Sequence, residues 1–251
     1  MAARFRHALV IGASSGIGAA VARMLAAEGA RVAVVARRAD ALRSLADAID
    51  AAAGEAGRAL VYPHDVRDAD AVPTLFQQIC RELGGLDLVV YAAGVMPRIA
   101  AEEFAFAKDR DVIDVNVLGA FAWLNEAATR FGHAGDGTIV GISSAAGDRG
   151  RRGYPAYCAS KAALDTYLEA LRNRLAVRGV HVVTVKPGPI DTPMTEGLDR
   201  LPLLASADLA ARQIVAAARR GRRVAYVPRR WRPIMFVVRH IPSAIFERLD
   251  I

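Results

Sequence analysis

The chain has 251 residues, 53% of them hydrophobic, which is enough to bury one large core. Its 33 Lys and Arg exceed its 26 Asp and Glu by a formal +7, but nine arginines set against Glu247 and Asp250 place that whole excess in residues 219–251. Charge confined in this way excludes a whole-surface nucleic-acid binder. Two cysteines without a secretory leader pattern exclude a disulfide framework and point to a reducing, cytoplasmic setting.

In chain order, apolar runs suited to strands occur at 7–12, 31–36, 58–62, 86–91, 138–142, 180–185 and 223–227, with helical stretches between most of them. The alternation predicts a doubly wound α/β domain, a parallel sheet of about seven strands with helices on both faces. No Pro/Ser-rich linker, repeat or low-complexity run marks a boundary. Residues 1–228 therefore read as one domain, and 229–251 as its basic amphipathic extension.

The first strand runs directly into Gly12-Ala13-Ser14-Ser15-Gly16-Ile17-Gly18, and Ala19 to Glu28 then shows helical apolar spacing up to a stop at Gly29. On such a strand-to-helix turn Gly12 permits the tight bend, Gly16 a close backbone approach and Gly18 close helix packing. The exposed N–H groups and the positive helix end suit a pyrophosphate. The second strand ends at Ala36 with Arg37 and Arg38, where NAD-binding folds usually present a carboxylate to the 2′-hydroxyl. Guanidinium in place of carboxylate favours a 2′-phosphate, with Ser14 as a further donor. NADP(H) is thus the predicted cofactor and NAD(H) the alternative.

Tyr157 and Lys161 are four residues apart, one turn of a single helix face. A free phenol titrates near ~10, and an adjacent ammonium is expected to lower that value, equipping the tyrosine to exchange a proton with an alcohol or carbonyl. Ser144 lies thirteen residues upstream. Pro155 suits the first turn of this helix, Leu164, Leu168, Leu171 and Leu175 line one face as core or subunit-contact residues, and Gly179 ends it. Cys158 reads as a small packed residue. The five histidines show no ligand spacing, so no metal is predicted.

Taken together, these segments resemble the short-chain dehydrogenase/reductase family over nearly the whole length. Gly12-x-x-x-Gly16-Ile17-Gly18 resembles its cofactor motif, Asp65-Val66 its adenine-contacting pair, and Asn116 its helix asparagine. Ser144, Tyr157 and Lys161 match its catalytic residues, and Pro187-Gly188-Pro189-Ile190-Asp191-Thr192 its nicotinamide loop. The resemblance implies a Rossmann-type fold and hydride transfer to or from a small carbonyl or alcohol. Tyr157 would be the general acid/base and Ser144 the hydrogen-bond partner of the reacting oxygen. Lys161 would hold the ribose, with Asn116 positioning a water that links Lys161 to solvent. Ala92, Ala93 and Gly94 would contribute backbone contacts to the cofactor. A homodimer or tetramer is also implied. A non-catalytic nucleotide-binding regulator on the same fold is the alternative. Two departures stand out, Ile11 for the usual threonine and Tyr91-Ala92-Ala93-Gly94 for an asparagine-containing turn, so the local strand and turn hydrogen bonds are in question.

Expected substrate walls are Val95 to Ile99, Ala145 to Tyr154 and Met194 to Leu204. Met96, Tyr154, Met194, Leu198, Leu201, Leu203 and Leu204 bias that space towards lipophilic compounds. In the tail, Ile234, Val237, Val238 and Ile241 share a helical face among arginines. The run is too short to span a bilayer but suits peripheral contact with an anionic membrane through residues 229–251, and equally a cover over the cleft or a subunit contact.

Overall fold

The computed structural model describes residues 5–100, 102–198 and 201–249. In chain order its strands are β1 (His7–Ile11), β2 (Arg31–Ala36), β3 (Ala59–Pro63), β4 (Leu88–Tyr91), β5 (Thr138–Ile142), β6 (His181–Pro187), the short β7 (Ile190–Asp191) and β8 (Ala205–Ser206), and β9 (Val224–Val227). Seven form one parallel sheet in the order β3-β2-β1-β4-β5-β6-β9, while β7 pairs with β8 alone. The helices are α1 (Gly16–Ala27), α2 (Ala39–Ala53), α3 (Val72–Leu83), α4 (Phe106–Ile113), α5 (Gly119–Ala134), α6 (Pro155–Leu175), α7 (Ala207–Arg219), α8 (Trp231–His240) and α9 (Ser243–Phe246).

The strands are nearly unbroken apolar runs because both faces of the sheet are covered. Alternation along β1 shows this: Ala8 and Val10 enter one core with α1, α2 and α7, whereas Leu9 and Ile11 enter the other with α3, α5 and α6. Leu164, Leu168, Leu171 and Leu175 of α6 all belong to that second core, as the core reading expects.

Strand order reverses between β1 and β4, where Ile11 lies opposite Tyr91. In an open parallel sheet such a switch point leaves a crevice beyond the carboxyl ends of the strands. Gly12 opens that crevice with φ +87°, and a β-carbon there would come within 2.3 Å of the Ala93 nitrogen. No side chain fits between the two turns.

Tyr91 resolves the hydrogen-bond question raised at the end of β4. Its fully buried hydroxyl donates to the Val115 carbonyl at 2.7 Å, tying the strand to a π-helical turn, Asp114–Leu118, that connects α4 to α5. Tyr91→Phe should cost about 1–2 kcal/mol, read as a lower urea midpoint at unchanged slope.

Candidate active site

At the nucleotide end, Arg38 reaches back across the crevice. Its Nη2 donates to Ser14 Oγ at 2.9 Å and Ser15 Oγ at 2.8 Å, which sets the guanidinium over the N-terminus of α1. Arg37 stands 4.0 Å from Asp65, but the Asp65 carboxylate is chiefly bonded to Arg67, at 2.6 Å. That bond holds the Asp65 carboxyl below its ordinary range. Val66 and His64 line the crevice while the Asp65 carboxylate turns away onto Arg67. His64 was not anticipated; it follows β3 immediately, and only the placement of that strand brings it here.

At the chemical end, Ser144 leaves β5 and caps a 3₁₀ turn, Ala145–Asp148, by accepting the Ala146 N–H at 3.1 Å. Pro155 begins α6, which brings Tyr157 and Lys161 to the same cleft as Ser144. Lys161 is only 4% exposed; its Nζ donates to the Ile142 carbonyl at 3.0 Å and lies 5.6 Å from the centre of the Tyr157 ring. Asn116 is completely buried. Its Nδ2 donates to Val95 O and Ser160 Oγ, each at 3.0 Å, and its Oδ1 accepts the Val95 N–H at 2.8 Å. One lone pair of Oδ1 is left over. Asn116 Oδ1 and Lys161 Nζ border the same space, since a β-carbon on Gly94 would touch both.

Burial acts on both titrating groups. It pushes the Tyr157 phenol above its ordinary value, with the Ser144 hydroxyl pulling the other way. It pushes the Lys161 ammonium down to about 8, opposed by Asp165. The expected lowering of the phenol by Lys161 is therefore corrected: desolvation dominates, and the opposing pull comes from Ser144 and Arg151.

Behind this pair is a charge cluster that sequence reasoning missed. Lys186 bridges Asp148 and Asp165, the latter at 2.8 Å, and Tyr226 donates to Asp148 at 2.6 Å. Burial works against the Lys186 charge, but the two carboxylates outweigh it and hold the ammonium above its ordinary value. A lysine inside an apolar strand and an aspartate one turn beyond Lys161 were the available signals.

The cleft encloses about 910 Å³, and every anticipated cofactor and catalytic residue lines it except Asp65 and Asn116. Pro187, Gly188, Ile190 and Thr192 form one wall. Gly188 is required there because the Trp231 indole packs against it; a β-carbon would fall 2.2 Å from the indole nitrogen. Val95, Met96, Tyr154, Met194, Leu198 and Leu201 line the cleft, whereas Leu203 and Leu204 are 44% and 45% exposed and lie outside it. The tail closes the remaining side. Trp231 and Met235 bury against Ala145, with Ile234 and Val238 beside them, and Val238 and Phe246 also line the cleft. The anticipated stripe through Val237 is thereby corrected, since Val237 is 63% exposed. Arg149 anchors this cover, donating to the carbonyls of Val238, Arg239 and Ile241 and lying 4.0 Å over the Phe246 ring. Arg152 holds the Glu247 carbonyl.

Comparison with known proteins agrees with this geometry. The short chain dehydrogenase family matches residues 6–201, and the chain belongs to that family of oxidoreductases. An uncharacterized oxidoreductase of Myxococcus xanthus is 41% identical over 193 residues, covering 76% of this chain and 74% of that protein. The cis-4-hydroxycyclohexanecarboxylate dehydrogenase of Sinomonas cyclohexanicum is 37% identical over 224 residues, 88% of this chain and 86% of its own. Among solved structures, actinorhodin polyketide ketoreductase with NADPH superposes with a TM-score of 0.80 at 28% identity, covering 90% of this chain and 97% of that one.

The buried ammonium also has a thermodynamic signature. Lys161 loses its proton near 8 when folded but near 10.5 in an ordinary setting. Between those values the unfolded chain binds more protons, so this residue's contribution to stability rises with pH. Across that window the wild type should gain on Lys161→Met by up to about 3 kcal/mol in urea unfolding.

Proposed function

We propose that this chain is an NADP(H)-dependent reductase or dehydrogenase of a lipophilic ketone, aldehyde or secondary alcohol. The observation that carries the reading is the convergence of Ser144, Tyr157 and Lys161 on the cleft that opens at the glycine turn. The residues suit the cofactor. Gly12 leaves room for close backbone approach, α1 presents its positive end, and Arg38 stands over Ser14 and Ser15, where a 2′-phosphate would gain charge-assisted bonds. When bound, the nicotinamide supplies or takes the hydride.

The chain's own residues handle the proton. Ser144 hydrogen-bonds the carbonyl oxygen and Tyr157, kept neutral by burial, gives that oxygen its proton. Lys161 binds ribose hydroxyls, and the spare lone pair of Asn116 Oδ1 holds a water next to it. Giving up that proton leaves Tyr157 as the phenolate, and in oxidation it is the phenolate that takes the alcohol's proton and returns to the phenol. The apolar side chains of α8 and α9 enclose a hydrophobic substrate body. The named activity of the Sinomonas relative, on a cyclic secondary alcohol, and the NADPH in the ketoreductase structure support the substrate and cofactor classes. Assembly as a homodimer or tetramer is part of the proposal by family resemblance.

The cleft-side face of the tail leaves its other face outward. Phe236 and Val237 are 67% and 63% exposed, and Ile245 is also exposed, among Arg232, Arg239 and Arg248. We infer that this face rests on an anionic membrane surface, from which lipophilic substrates reach the cleft.

An NADPH-oxidation screen over lipophilic carbonyls tests the enzyme reading. Tyr157→Phe should lower turnover by about 10²-fold or more while NADPH binds almost as before, and Arg38→Ala should raise the KM for NADPH by about tenfold with little change for NADH. Parental turnover in Tyr157→Phe, or a wild-type preference for NADH, refutes it. For the membrane reading, vesicles rich in anionic lipid should pellet the wild type and leave the Phe236→Asp/Val237→Asp double variant in solution. Equal pelleting of the two ends that idea.

A further inference from the structure

Three arginines follow the 3₁₀ turn within four positions, and two of them have structural tasks. Arg149 fastens the end of α8 and Arg152 holds the chain beyond α9. Arg151 lies between them, half-buried, and lines the cleft next to Tyr154 and Tyr157. Among the described residues its guanidinium has no ion-pair partner, and no side-chain hydrogen bond engages it. Its charge is felt at the reacting group, since it pulls on the Tyr157 phenol and on the neighbouring Cys158 thiol.

The surroundings sharpen the point. No Asp or Glu is found among the described residues that line the cleft, whereas Arg37, Arg38, Arg149, Arg151 and Lys161 all do. Arg37 and Arg38 belong to the nucleotide end. Arg149 is occupied by carbonyls and the Phe246 ring, and Lys161 by the Ile142 carbonyl. Among the described residues, Arg151 is the cation at the substrate end with its donors unspent. Low-dielectric walls focus such a charge, and a planar five-donor fork is matched best by a carboxylate or phosphate.

We propose that Arg151 is a specificity-determining residue, and that the substrate is an apolar carbonyl or alcohol carrying one anionic group. The anion, a carboxylate or phosphate, pairs with Arg151 while the reacting oxygen sits between Ser144 and Tyr157. This rests on the oxidoreductase reading above and adds the charge of the substrate to it.

Equilibrium binding tests the inference without requiring turnover. NADP+ is first titrated into the full chain by calorimetry, which reports on the cofactor reading separately. Octanoate, octyl phosphate and octanamide are then titrated into the NADP+-treated protein and into Arg151→Gln. At least one of the two anions should bind the wild type about tenfold or more tightly than the amide. That preference should vanish in Arg151→Gln. Arg151→Lys, which keeps the charge but not the fork, should retain a reduced preference at unchanged amide affinity and serves if the glutamine variant does not fold. Equal affinity of anions and amide for the wild type, absence of saturable anion binding, or a preference undiminished in Arg151→Gln overturns the proposal. The last result would assign the anion to Lys161 or Arg149 instead. Loss of NADPH oxidation in the screen, with the anion preference intact, would instead count against the enzyme reading alone.

Discussion

Lys161 is almost fully enclosed, so protein groups must supply what water would give an ammonium, and much of the site is arranged around that need. The Ile142 carbonyl accepts one hydrogen bond from it at the end of β5, and Asp165 offers opposite charge one turn further along α6. Asp165 is itself shared with Lys186, which also holds Asp148, so the compensation extends through β6 to the turn that follows Ser144. Sheet, helix and turn are thereby fixed relative to one another at the position where Ser144 and Tyr157 face the cleft. Were the lysine solvated, none of these ties would be needed, and the side chains could sit several ångströms apart without cost.

Enclosure also sets the division of labour between the two titrating groups. Desolvation disfavours whichever form is charged, so it protects the proton on the phenol and loosens the one on the ammonium. The two residues stand one turn apart on a single helix, yet the same environment moves them in opposite directions.

The cleft differs along its length. Its nucleotide half is made of backbone turns at strand ends, where the switch between β1 and β4 leaves space, and the family match covers this half. Its substrate half is closed by α8 and α9, beyond the matched residues 6–201. Trp231 against Gly188 joins the halves directly, linking the tail to the loop after β6. Differences of substrate within such a family can therefore reside in the cover while the chemistry stays fixed.

Much of the architecture was legible residue by residue. Fully buried parallel strands have to be apolar throughout, so the runs at 7–12, 31–36 and 138–142 coincide with β1, β2 and β5 to within a residue. The glycine turn, the Tyr157–Lys161 spacing and the confinement of positive charge to the tail are equally local properties, carried by backbone sterics, helical pitch and composition. What depends on distant segments was not legible. Whether a helix face points to core or water hinges on what packs against it: hence the leucines of α6 in the core, Val237 in solvent, and Leu203 and Leu204 outside the cleft. The direction in which burial moves Tyr157, the rerouting of the Asp65 carboxylate to Arg67, and the assignment of Arg149 and Arg152 to structure but not Arg151 were decided only by the tertiary arrangement. Dielectric environment and partner choice belong to the three-dimensional surroundings of a side chain, and its neighbours in sequence do not specify them.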